Sequence, residues 1–163
     1  MKVAIISDIH DNLVNLDKCL SWCRDNNIVN LICCGDVTNT ETLGKIANGF
    51  AGTVFLVRGN MEIYEEGEEA AWKNINYLGR FGIAEIGGHQ VGICHEPEFI
   101  GKIKVKNACD IIFYGHTHKP WIEEKNGVKI INPGTLGGVF QKATFAVWDS
   151  EVAEPELKIL EEM

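Results

Sequence analysis

Four of the chain's five histidines, together with two aspartates and one asparagine, stand immediately after short apolar runs. The run 110–114 stops at Gly115-His116-Thr117-His118, delivering two imidazoles on either side of one residue. Gly115 permits an abrupt change of backbone direction, so the two rings can enter one pocket from different sides. The run 3–7 stops at Asp8-Ile9-His10, and 31–34 stops at Gly35-Asp36. The run 54–58 stops at Gly59-Asn60, and 90–94 stops at His95. Each run has the length and the Ile, Val and aromatic content of a buried strand. In open α/β sheets the carboxyl edge of the strands is where sites are built. Taken singly, His95 reads as a structural histidine, Asp8 or Asp36 as a helix cap and Asn60 as a turn residue. Their repetition at five run ends makes them a set. His89, within a glycine-rich turn, is the histidine left over and reads as exposed and uninvolved.

The elements that must position these groups follow in order. A strand over 3–7 precedes a helix from Leu13 to Asn26, whose Leu13, Leu16, Leu20 and Cys23 share one face and whose N-cap is Asn12. After strand 31–34, Asn39 or Thr40 caps a shorter helix carrying Leu43, Ile46 and Ala47, and strand 53–58 follows. This β-α-β-α-β start predicts a parallel sheet with right-handed crossovers. Glu62, Glu65, Glu66, Glu68 and Glu69 then crowd one stretch that reads as a solvated face, with a helix suggested by Ala70-Ala71-Trp72. Strands 81–86 and 90–94 meet through Gly87-Gly88-His89 as a hairpin, and a short helix spans Glu98 to Asn107. Beyond His118, strands 121–124 and 128–131 flank Lys125-Asn126-Gly127, whose Asn-Gly pair suits a type I′ turn. Asn132-Pro133-Gly134-Thr135 is a sharp loop, and strands 143–148 and 156–160 close the chain. The second half reads as mostly antiparallel. No repeat, low-complexity tract or linker interrupts the chain.

Composition bounds the function. The length of 163 residues predicts one domain, 1–163, able to bury about 70% of its unfolded surface. The chain is 45% hydrophobic and 23% charged, as ordinary globular proteins are. No run of about 20 apolar residues predicts a membrane helix, and the N-terminus opens directly on a strand rather than on a secretory signal. A net charge of −8 argues against an extended nucleic acid as partner. The six cysteines contain no Cys-x-x-Cys pair. They read as buried free thiols in a reducing cytoplasm. Trp22, Trp72, Trp121 and Trp148 serve either as partner anchors or as buried aromatics.

The ordered set Asp8-Ile9-His10, Gly35-Asp36, Gly59-Asn60, His95 and Gly115-His116-Thr117-His118 resembles the calcineurin-like metallophosphoesterase superfamily. The likeness is to its small single-domain bacterial and archaeal phosphodiesterases. It covers nearly the whole chain, since Asn132-Pro133-Gly134-Thr135 is similar to the family's Asn-Pro-Gly-Ser loop. The resemblance implies a four-layer α/β/β/α sandwich. It also implies two metal ions, one held by Asp8, His10 and His118, the other by Asn60, His95 and His116, with Asp36 bridging. Asp36, Asn60 and His95 are then catalytic as well as ligating. A mixed imidazole, carboxylate and amide set suits divalent transition metals, manganese first, with nickel, iron or zinc as alternatives to it. Two such ions roughly 3.5–4 Å apart hold a bridging hydroxide and clamp a phosphoryl group. With Asp8, Asp36 and one hydroxide they sum to a charge of about +1, attractive to an anionic diester within an acidic chain.

Two positions depart from the family pattern. Met61 stands where many relatives have a histidine assigned to the leaving group, and a thioether donates no proton. Glu96 stands where many have glycine, and is expected to narrow the mouth or repel polyanions. Arg58 and Lys119, beside ligand loops, are candidate phosphate contacts. The resemblance thus implies a cytoplasmic phosphodiesterase acting on a small diester and leaves homo-oligomerisation open. Its alternatives are a phosphomonoesterase or dinucleoside-polyphosphate hydrolase on the same site, and a scaffold without catalysis, as the retromer subunit that resembles this family is. A scaffold would be marked by missing ligands, and all seven are present.

Overall fold

In the computed structural model, which describes residues 1–106, 109–152 and 154–163, the apolar runs become strands whose alternate residues face opposite ways. The first five elements are β1 (Lys2–Ile6), α1 (Leu13–Asp25), β2 (Asn30–Cys33), α2 (Thr40–Gly49) and β3 (Thr53–Leu56). Both helices start on an asparagine cap. Asn12 Oδ1 accepts the Asn15 N–H at 3.1 Å, and Asn39 Oδ1 accepts the Thr42 N–H at 3.0 Å, each satisfying one of the orphan donors of a helix start. The chain continues through β4 (Ile75–Tyr77), β5 (Phe81–Ile86), β6 (His89–Cys94), α3 (Ile100–Lys106) and β7 (Ile111–Phe113). It ends with β8 (Trp121–Lys125), β9 (Val128–Asn132), β10 (Thr144–Asp149) and β11 (Glu156–Ile159).

Two sheets result. One has the order β11-β10-β1-β2-β3-β4, the other β5-β6-β7-β9-β8. In the first, β1 to β4 run parallel, and the closing pair β10 and β11 adds antiparallel strands beside β1. The period-2 alternation of β1 sorts its side chains between two cores. Ala4 and Ile6 pack with Leu16, Leu20, Leu43 and Ile46 under α1 and α2. Val3 and Ile5 pack with Ile93, Phe113, Ile131 and Trp148 between the sheets. A third cluster of Phe99, Ile103, Ile112 and Ile130 seats α3 on the outer face of the second sheet. The layers are therefore helix, sheet, sheet, helix, as the resemblance implied.

Several expectations need correction. The second half is mostly antiparallel as expected, through the pairs β5–β6, β8–β9, β1–β10 and β10–β11, but β6, β7 and β9 form a parallel core within the second sheet that was not expected. The helix suggested at Ala70-Ala71-Trp72 is a single 3₁₀ turn over Glu68–Ala71, entered through Gly67 at φ 106° and left at extended Trp72. A strand no sequence pattern announced, β4, follows it and pairs with β3. The acidic stretch is not wholly solvated, since Glu69 is 1% exposed. The helix expected from Glu98 to Asn107 begins as a 3₁₀ turn over Pro97–Phe99 and becomes α-helical at Ile100; Asn107 lies outside the described residues. The Asn126-Gly127 turn is as expected, with φ 57° and 77°, both left-handed as a type I′ turn requires. All six cysteines are free and buried. Trp148 is buried, Trp22 and Trp72 lie against the helix-side core, and Trp121 is exposed.

Candidate metal centre

The carboxyl ends of β1, β2 and β3 in one sheet meet those of β6 and β7 in the other. The loops there hold unusual backbone. Asp8, His10, Asp36, His116 and His118 all have φ between 47° and 70°, in the left-handed region. L-residues other than glycine pay for that conformation, and such residues cluster where surrounding structure enforces them. Five of the seven residues singled out by the sequence are held this way.

Backbone hydrogen bonds strap the loops together. Gly35 O accepts the Asp8 N–H at 3.1 Å, and Asp36 O accepts those of Ile9 and His10 at 3.0 and 3.1 Å. Asp8 O in turn accepts from Thr135 Oγ1 and from the Gly137 N–H, both at 2.9 Å. Asn132 Nδ2 donates to Gly115 O at 2.8 Å and to Thr117 Oγ1 at 3.1 Å, fixing the turn that carries both histidines. Gly59 and Gly115 are among the glycines required by contact rather than by φ. A Cβ on Gly59 would lie 2.1 Å from Asp36 Oδ1, and one on Gly115 would lie 1.9 Å from Ser7 Oγ.

The side chains converge on one acceptor-rich hub. His118 Nε2 lies 3.2 Å from Asp8 Oδ1 and 3.1 Å from His10 Nε2. Asp36 Oδ2 lies 3.7 Å from His10 Nε2 and 3.3 Å from His95 Nε2, so this carboxylate sits between the two halves. Asn60 Oδ1 completes the second half, 2.9 Å from His95 Nε2 and 2.8 Å from His116 Nδ1. Ligand atoms of Asp8, His10 and His118, and of Asp8, Asp36 and His95, are close enough in each group to hold one cation.

The second nitrogen of two histidines shows how the hub is set. His95 Nδ1–H donates to Cys34 O at 2.8 Å, and His118 Nδ1–H donates to Val139 O at 3.2 Å. Those carbonyls assign the proton to Nδ1, so both Nε2 lone pairs face the hub, the arrangement of a metal-ligating imidazole. Lone pairs of imidazole, carboxylate and amide oxygen confronting one another within hydrogen-bond range need a positive charge between them. The titration behaviour agrees. Burial pulls the His95 imidazole down, yet the Asp36 hydrogen bond, the Asp36 and Asp8 charges and the Cys34 carbonyl leave its pKa raised. Burial pushes the Asp36 carboxyl up, but His95, the Met61 N–H and His10 bring it below its ordinary value. Asp8 is raised by burial, against His95, the Ser7 hydroxyl and His118. A nitrogen and oxygen donor set without thiolate fits a divalent transition metal.

The structure thus brings all seven ligand candidates together. It does not bring Arg58 to them: its guanidinium donates to Tyr64 O at 2.8 Å, covers the Tyr64 ring and lies 3.9 Å from buried Glu69. Lys119 is exposed on the histidine loop, its Nζ 5.7 Å from the Trp121 ring centroid. Met61 is 53% exposed and gives its N–H to Asp36 Oδ1 at 2.9 Å. Glu96 is not a lone negative charge, because Arg80 pairs with it at 2.5 Å. His89 is half-buried rather than exposed, 3.0 Å from Ser150 O at the start of β6, the end of that strand away from the hub.

One important residue was hidden. The Glu62 carboxylate accepts the N–H groups of Val37, Thr38 and Gly59 at 3.2, 2.6 and 3.0 Å, tying the Asp36 loop to the Asn60 loop. Burial raises its pKa, opposed by those same three donors. Its position two residues after Asn60 was the only signal, and the acidic run around it masked that.

Comparison with known proteins identifies the family. A profile of the calcineurin-like phosphoesterase superfamily domain matches residues 1–152. The chain is 29% identical to a phosphodiesterase of Methanocaldococcus jannaschii over 171 residues, covering 99% of this chain and all of that one. It is 27% identical to vacuolar protein sorting-associated protein 29 of Schizosaccharomyces pombe, over 99% of this chain and 84% of the other. Among solved structures, an archaeal phosphodiesterase superposes with a TM-score of 0.87 at 26% identity, covering 98% of this chain and 99% of its own. Matched by that profile over residues 1–152 and by relatives along its whole length, the chain belongs to the calcineurin-like phosphoesterase superfamily.

Proposed function

We propose that this phosphoesterase is a dinuclear phosphodiesterase hydrolysing a small diester. One divalent ion would be held by Asp8, His10 and His118, the other by Asn60, His95 and His116, with Asp36 shared. The observation that carries this is the position of Asp36 Oδ2, within 3.7 Å of His10 Nε2 on one side and 3.3 Å of His95 Nε2 on the other. When bound, the ions would supply Lewis-acid charge to the phosphoryl oxygens and activate a water. Manganese is our first assignment, with nickel, iron or zinc as alternatives for the same donors.

The chain's own groups do the rest. The Cys34 and Val139 carbonyls hold two imidazoles with their lone pairs inward. The strapped loops fix Asp8 and Asp36 before substrate arrives, so little reorganisation remains at the moment of reaction. Lys119, exposed beside His118, is our candidate to meet a non-bridging phosphoryl oxygen. Arg58, committed to Tyr64 and Glu69, is better assigned to holding the loop after Asn60 than to substrate. Met61 offers no proton to a departing alkoxide, which favours diesters with acidic leaving groups over monoesters of ordinary alcohols. The buried, unpaired cysteines support a reducing cytoplasm, and we read residues 1–163 as one domain.

The test is metal content and turnover of bis(p-nitrophenyl) phosphate after supplementation with manganese. Two ions per chain and turnover are expected. Asp36→Asn, which keeps the shape and removes the shared charge, should release both ions and lower turnover roughly 100-fold or more. Folded protein that takes up no metal would overturn the reading.

A further inference from the structure

Phe140 is 92% exposed, yet its backbone is held at φ 61°. A bulky residue in the left-handed region is a real outlier, and an exposed ring returns no core packing for that strain. The loop that holds it is tightly tied. The Gly138 N–H donates to Thr135 Oγ1 at 3.2 Å, and Asn12 Nδ2 donates to Gly137 O at 2.9 Å. The preceding Val139 carbonyl accepts from His118 Nδ1. The Phe140 ring lies nearly parallel to the His118 imidazole, 22° between planes and 6.3 Å between centroids. An aromatic face is therefore presented to solvent beside a ligand histidine by a segment built into the site. Met61, on the Asn60 side, is a second exposed apolar side chain on the site's loops.

We propose that Phe140 is a specificity-determining residue, a stacking platform for a planar aromatic group carried by the phosphodiester, either an aryl ester or a nucleobase. This rests on the phosphodiesterase reading and narrows its substrate class. A polyanionic or purely aliphatic substrate would gain nothing from the ring, whereas any aromatic group has a π-face to stack without base-specific hydrogen bonds.

Binding separates this proposal from turnover. Manganese-loaded protein is titrated calorimetrically with thymidine 5′-monophosphate, phenyl phosphate and ethyl phosphate, which share the phosphate and differ in the ring. The wild type should prefer at least one aromatic ligand over ethyl phosphate by roughly tenfold, within the range of base–aromatic stacking. Phe140→Ala should erase that preference and change ethyl phosphate affinity by less than about twofold, while Phe140→Trp should keep it. Preference for phenyl phosphate alone points to an aryl ester, and for the nucleotide alone to a nucleobase; either supports the platform. Equal weakening of all three ligands in Phe140→Ala would show that the ring only supports His118, and no wild-type preference would likewise overturn the proposal. A preference without diester turnover would sink the catalytic reading and leave the platform standing.

Discussion

Met61 combines two roles that the sequence could not separate. Its N–H holds Asp36 Oδ1, which any residue but proline can do, while its thioether stands 53% exposed at the rim. A departing alkoxide is strongly basic and leaves slowly unless a proton or a cation neutralises it. The wild type should therefore show a steep dependence of kcat/KM on leaving-group acidity. Met61→His places a proton donor at the slot without disturbing the N–H. A tuned general acid gives about 10²–10⁴-fold, and an untuned one should give much less, confined to poor leaving groups. Parallel lines for the two proteins across aryl and alkyl diesters, at matched metal content, would show that this side chain does not reach the leaving group. At this scale the seven ligand candidates were legible because imidazole, carboxylate and amide recur at strand ends. Phe140 was not, because its exposure and its φ are consequences of where the loop is tied.

Between elements, the carboxylate of Glu62 does what no local pattern announces. Three N–H donors from two loops converge on it, and it stands in one run with exposed Glu65 and Glu66, from which only tertiary position distinguishes it. Glu62→Gln keeps the size, removes the charge and turns one acceptor oxygen into a donor that faces backbone N–H groups. Hydrogen bonds to charged groups contribute about 1.5–3 kcal/mol each, and a stranded buried donor costs about 1–3 kcal/mol. A loss of roughly 2–4 kcal/mol of stability is expected by denaturant titration, with weakened metal binding because Gly59-Asn60 is released. A stable Glu62→Gln with full metal affinity would show that Asn60 is placed by other contacts. The strands were legible for a related reason and to a limited extent. β1, β2 and β3 are buried, β-branched runs joined by capped helices, so both their existence and their parallel sense follow. The parallel pairing of β7 with β9 did not follow, because the β8 hairpin lies between them in sequence but outside them in the sheet. β4 has three residues, Ile75, Asn76 and Tyr77, none of them buried, too few to show a period.

At the scale of the molecule, an acidic chain holds an acceptor-rich hub, and cations should stabilise it. A ligand at 100 times its dissociation constant adds about 2.7 kcal/mol. For a chain of this length that corresponds to a rise of about 5–10 °C in melting temperature. Manganese should produce it and a chelator should reverse it, whereas Asp36→Asn should melt at nearly the same temperature with and without metal. Equal metal-induced shifts in wild type and variant would place the binding elsewhere.

The buried thiols set the alkaline limit. Burial raises the Cys94 thiol from its ordinary 9.0 to about 12, helped by the Glu96 charge. Cys33 and Cys34, on the β2 strand and at its end, are raised by burial in the same sense. Between pH 9 and about 12 the folded chain keeps the Cys94 proton and the unfolded chain releases it. The unfolded state then binds fewer protons, so stability falls as pH rises through this window and is fully present below it. Each such group contributes at most about 1.4 kcal/mol per pH unit. Tyr77, raised by burial to about 12, adds the same sign at the upper end. Melting temperature should hold from pH 7.5 to 9 and then decline, and Cys94→Ala should decline less steeply from its own lower starting value. In the native state the six thiols should resist an aromatic disulfide reagent until denaturant is added. A melting temperature that stays level to pH 10.5, or prompt labelling of the native protein, would mean that these strands open to solvent far below the global unfolding free energy.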